Sequence, residues 1–165
     1  MKKIILSLFL VTFSGMSLFA DDHKCPWQWL TGNWKGESKG KTTEVVWKKV
    51  KGGDGLTGAW KDSDGNISKE VVTWCSDLKV VTALATGTNG SYWNITFNEV
   101  SKDRMKGTMR RKLPDGVVHE GEFVVERDGK DRVVDVFKGK NIKTGEIEEF
   151  KGAFERVKKN KKTKK

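Results

Sequence analysis

The sequence predicts an all-β fold, an antiparallel up-and-down barrel of about eight to ten strands preceded by a short N-terminal helical turn. Three observations lead there. Proline is nearly absent, two in 165 residues, while glycine occurs 18 times, so chain reversals fall to glycine turns. Short runs of alternating polarity recur about every 8 to 12 residues with a turn signal between them, the spacing of an antiparallel sandwich or barrel. Helix is nearly excluded, and only Pro26 to Leu30 reads as a helical turn.

The runs place strands at 32–39, 43–50, 56–62, 67–74, 79–86, 91–99, 105–113, 117–126, 131–138 and 147–156. Ten strands suffice to close a barrel, and closure removes the exposed edges that a long open sheet must protect. Turn chemistry sharpens the pattern, because a hairpin loop sets register and register decides which side chains share a face. With Pro114-Asp115-Gly116 as a three-residue loop and Gly116 left-handed, Leu113 pairs with Val117, Arg111 with His119, Met109 with Gly121, Gly107 with Phe123 and Met105 with Val125. One face becomes almost wholly apolar. Asp128-Gly129 as a two-residue turn then sets Phe123 beside Val134 and Gly121 beside Val136, with Asp135 on the opposite face. In the run 91–99, Trp93, Ile95 and Phe97 alternate with polar neighbours. In the last run Phe150, Gly152, Phe154 and Arg156 share one side, so an arginine projects inward.

The ends of the chain carry separate signals. Met1-Lys2-Lys3, the apolar run Ile4 to Val11 and small or apolar residues up to Ala20, just before Asp21-Asp22, have the order of a secretory signal peptide cleaved near Ala20. The apolar stretch is too short to span a bilayer. Residues 1–20 are therefore expected to be removed, leaving a barrel domain at 21–157, exported to the periplasm or secreted, soluble and monomeric. The formal charge is +10. Two lysines leave with the signal and six sit in Lys158 to Lys165, so the barrel itself is close to neutral. The tail at 158–165 lacks apolar groups and is expected to be disordered. Weak electrostatic contact with anionic envelope polymers or a membrane surface is the other role open to it.

Cys25 and Cys75 are an even count in an oxidising compartment, which favours one disulfide. Closing a loop of roughly 50 residues would stabilise the fold by about 4 kcal/mol. Two unrelated buried thiols are the alternative. Metal binding is not expected, since only His23 and His119 could join these cysteines.

Trp29-Leu30-Thr31-Gly32-Asn33-Trp34-Lys35-Gly36-Glu37 resembles the opening of calycin-type barrels, in which Gly-x-Trp begins the first strand after a short helical turn. Lipocalins, fatty-acid-binding proteins and nitrobindin-like haem proteins belong to this group. In lipocalins an arginine of the final strand crosses the first-strand tryptophan, and Arg156 occupies the matching place. The resemblance implies a structural set of Gly32, Trp34 and Arg156, with the guanidinium stacked on indole, worth about 0.5 to 2 kcal/mol, at the closed end of the barrel. The nitrobindin-like version meets an obstacle, because no histidine lies near the C-terminal strand to ligate haem. His119 is the one inward candidate, so haem is a minor reading and no cofactor is expected.

A barrel of this size commonly holds one small ligand, so binding of a hydrophobic or amphipathic molecule is the first functional expectation. Met105, Met109, Arg111, His119, Phe97, Phe123, Phe150 and Phe154 are its candidate cavity residues. Arg111 and His119 would form a solvated polar rim at the mouth. A filled structural or interaction module of the cell envelope is the second expectation. Catalysis is not expected, because no nucleophile with base and acid, phosphate loop or zinc signature is visible. Glu120, Glu122 and Glu126 fall at outward positions. Seven tryptophans invite a nucleic-acid reading, but most lie inside strand runs, and the tail lacks arginine and aromatic residues, so no specific nucleic-acid partner is expected.

Overall fold

A computed structural model describes residues 26–38 and 40–158. The signal-peptide segment, Cys25 and all of the lysine tail except Lys158 lie outside the described residues. A 3-10 turn, Pro26–Leu30, precedes ten strands: β1 (Gly32–Ser38), β2 (Lys41–Lys49), β3 (Leu56–Asp62), β4 (Ile67–Cys75), β5 (Val80–Gly87), β6 (Tyr92–Val100), β7 (Arg104–Lys112), β8 (Val118–Arg127), β9 (Arg132–Asn141) and β10 (Ile147–Arg156). Every strand pairs antiparallel with its neighbours in sequence, and β1 pairs with β10 from Trp34↔Arg156 to Ser38↔Gly152. The result is a closed up-and-down barrel with no free edge.

The Pro114-Asp115-Gly116 loop sets its hairpin as its chemistry requires. Gly116 has φ 87°, and β7 and β8 pair Arg111↔His119, Met109↔Gly121, Gly107↔Phe123 and Met105↔Val125. The next hairpin departs from expectation. The Asp128 amide bonds the Arg132 carbonyl, so the loop holds three residues, Gly129 to Asp131. Phe123 therefore pairs with Phe137 rather than Val134, and Gly121 with Gly139 rather than Val136. A shift by an odd number turns β9 over. Val133 and Phe137 are buried, Val134 and Val136 face outward, and Asp135 points into the barrel. The run Val133-Val134-Asp135-Val136-Phe137 has Val134 and Val136 on one face and Asp135 between Val133 and Phe137 on the other, so polarity alone favours the register that the structure rejects. The Arg132–Asp128 ion pair across the loop and the Arg156 amide bonded to the Asp131 carbonyl at 2.8 Å hold the longer form.

One end of the barrel is plugged by the 3-10 turn. Its Trp27 and Leu30 are buried with Trp34 against Trp47, Leu56, Val72 and Phe154. Burial of each such side chain contributes about 1.5 to 3 kcal/mol. Trp34 Nε1 donates to the Leu30 carbonyl at 2.6 Å. Arg156 lies over the Trp34 ring at 4.0 Å, donates to the carbonyls of Thr31 (2.7 Å) and Trp29 (2.9 Å), and meets Asp131 at 3.3 Å. Gly32 has φ 133°, and a Cβ there would fall 2.5 Å from Arg156 Nη1. The three residues implied by the calycin resemblance thus form one closed-end plug. Cys75 ends β4 at this same end and is half-buried.

Candidate functional site

Above the plug the inward positions change character. On β5 and β10 they become small, with Ala83, Ala85 and Gly152, whereas the closed half carries Phe97, Met105, Val125 and Val133. A cavity of about 380 Å3 results. Its mouth lies opposite the 3-10 turn, among Ser38, Lys41, Asn66, Asn89, Tyr92 and Lys112. Its wall is aromatic. Trp60 makes edge-to-face contacts with Trp47 (5.8 Å), Trp93 (6.2 Å) and Phe154 (5.8 Å), a geometry that the ring quadrupoles favour.

Besides Asp62 at the open end of β3, two carboxyl groups line this cavity, Glu70 from β4 and Asp135 from β9. Neither is on the aromatic-and-methionine face expected from sequence. Glu70 is buried, and Trp60 Nε1 donates to its Oε2 at 2.8 Å. Burial pushes its carboxyl up to about 7; the Trp93 and Trp60 indoles oppose that shift, and nearby Asp135 adds to it. Asp135 is raised to about 6, again by burial, with the backbone amides of Gly152 and Asp135 pulling the other way. Its Oδ1 is buried and has no hydrogen-bond partner among the described residues. Gly152 makes room for it, since a Cβ there would fall 2.2 Å from Oδ1 and 3.0 Å from the Phe154 ring. Two acids inside an apolar chamber are an unusual arrangement, because a buried carboxylate is unfavourable unless paired.

Of the expected cavity residues, Met105, Met109, Arg111, Phe97, Phe123, Phe150 and Phe154 line the chamber. His119 does not. Nor is the Arg111–His119 pair a solvated rim: both are buried, because Glu148 of β10 reaches across to them. Arg111 Nη2 pairs with Glu148 Oε2, His119 Nε2 lies 3.3 Å from the same oxygen, and the guanidinium rests 5.0 Å from the Phe137 ring centre and 4.7 Å from that of Phe150. Phe137 and Phe150 stack at 5.3 Å. An isolated arginine could not be buried here, and the carboxylate with two ring faces makes it tolerable. Glu120, Glu122 and Glu126 are exposed, facing outward.

No family model matches this chain, and no curated protein matches its sequence. The geometry therefore carries the functional argument. Among the described residues no group of three or more His, Cys, Asp or Glu side chains converges as a metal site. What the chamber presents is an apolar, indole-rich wall, two buried acids and a mouth opposite the 3-10 turn. Such a chamber can seat a small molecule by its apolar body and orient it by one polar group.

The route to Glu70 was present in the loop chemistry. Ser63-Asp64-Gly65 has the same length and glycine position as Pro114-Asp115-Gly116, and the Asp62 amide bonds the Asn66 carbonyl at 3.1 Å. That loop pairs Trp60↔Ser68, Gly58↔Glu70 and Leu56↔Val72 on one inward face. For Asp135 no comparable signal exists, because Gly129 opens its loop rather than closing it.

Proposed function

We propose that this chain is an exported, lipocalin-like carrier that takes a small hydrophobic or amphipathic molecule into its barrel. The observation that carries the reading is the cavity of about 380 Å3, which falls within the range of about 300 to 1,000 Å3 typical of small-molecule sites. The plug formed by Trp34 and Arg156 supports the kinship with lipocalin-like barrels, and the order of residues 1–20 supports export.

Native mass spectrometry of protein purified from the periplasm without refolding tests the reading. A retained small-molecule mass is expected. A clean apo mass, with no uptake from a lipid extract, would sink the carrier. That outcome would favour an envelope interaction module, a reading that draws on Val71 and Leu84, cross-strand partners exposed on the outer face of β4 and β5.

A further inference from the structure

Resting on the carrier reading, we propose that the ligand is a protonated amine on an apolar body, its ammonium seated between Glu70 and Asp135 and its body against the indoles of Trp47, Trp60 and Trp93. Besides hydroxyls such as Thr43 and Ser68, the cavity wall sets two buried acids, Glu70 and Asp135, where a ligand would meet them. Glu70 accepts from Trp60 and is also held by the Trp93 indole, while Asp135, whose carboxyl draws on the backbone amides of Gly152 and of Asp135 itself, leaves Oδ1 buried without a hydrogen bond of good geometry. The two are linked through one set of contacts, since Trp60 touches both Glu70 and Phe154, and Phe154 borders the Gly152 position that accommodates Asp135.

An anionic headgroup would meet the wrong partners. The arginine of the wall, Arg111, is held by Glu148. Lys41 lies at the mouth, paired with Asp64 and close to Asp62, and Lys112 lines the cavity at the open end of β7 rather than among the acids. An ammonium, by contrast, donates up to three hydrogen bonds, and the indole faces attract cations as well as apolar groups. The cation would also relieve the burial that raises both carboxyls, about 7 for Glu70 and about 6 for Asp135, so its binding releases protons near neutral pH.

The full-length mature protein is titrated with octylamine, octanol and octanoate, matched in length, and followed by tryptophan fluorescence. At about pH 8 octylamine should bind about tenfold or more tighter than either analogue, the margin expected for charge-assisted over neutral hydrogen bonds. Its affinity should fall by about tenfold or more on acidification to about pH 5.5 as the two acids protonate, while octanol affinity changes little. Glu70→Gln with Asp135→Asn should erase the preference. Equal or better binding of octanol or octanoate overturns the amine inference and leaves the carrier intact. Binding of none of the three overturns the amine site, and only a clean apo mass from the periplasm removes the carrier with it. Should the double variant fail to fold, the ranking and pH profile of the unmodified protein decide the matter.

Discussion

Glu70 is buried among indoles, and the proton is what the fold prefers there. Between its ordinary value of 4.5 and about 7 the folded protein binds more protons than the unfolded chain, so this residue makes stability fall as pH rises through that window and level off above it. Glu70→Gln keeps an acceptor for Trp60 and removes the charge. At about pH 8 it should gain on the order of 3 kcal/mol over the unmodified protein, shrinking to nothing below about pH 4.5. Urea denaturation of both proteins across pH checks the window, and a gain that persists at low pH would contradict it. Arg156 makes the opposite case, a charge fully used. Arg156→Ala should lower stability by about 1 to 3 kcal/mol through loss of the Trp34 stack and of two carbonyl partners. Arg156→Lys should recover little, because one ammonium cannot both cover the indole and bridge Trp29 and Thr31. Thermal melts of the two variants that match the unmodified protein would deny the plug its role.

At the scale of elements, the strands β7, β8 and β10 are tied near the mouth by Glu148, which serves Arg111 and His119 together. Removing a partner from a buried pair leaves the other charge stranded. Glu148→Ala should therefore destabilise by about 3 kcal/mol or more, whereas the exposed pair Arg110–Glu120 on the same hairpin should yield less than about 1 kcal/mol when Glu120 is truncated. Equal losses in the two variants, measured by chemical denaturation, would show that burial does not govern the cluster. The hairpins also show how far local chemistry reaches. The loop ending at Gly116 dictated its register, and the loop ending at Gly65 would have revealed Glu70 by the same rule. The loop from Gly129 to Asp131 obeys contacts made elsewhere, above all Arg156 on β10, and so Asp135 was assigned to the wrong face.

The whole molecule joins a plugged end to a chamber that reaches down to Leu30 and Trp34 of the plug, and the proposed function assigns stability to the first and binding to the second. The tail beyond Lys158 offers charge and nothing apolar. Deleting residues 159–165 should leave the melting temperature and ligand affinity unchanged while weakening retention on anionic vesicles at low salt; loss of ligand affinity on deletion would contradict this division. The expected Cys25–Cys75 disulfide can be read directly, since thiol titration of the denatured, unreduced protein should find no reactive thiol and two would end the claim. The sequence by itself determined the all-β class, the ten strand runs, the Gly116 hairpin and the inward side of Arg156, because alternation and turn glycines are local or nearly local signals; the Trp34–Arg156 pairing was legible only through the resemblance to calycin-type barrels. Only the tertiary structure decided that β9 turns Asp135 inward, that Glu148 converts the Arg111–His119 pair from rim to interior, and that the centre is hollow. Each of those depends on which strands close around which, and β9, with large apolar residues on both faces and Asp135 on one of them, takes its inward side from the partners it meets across the barrel.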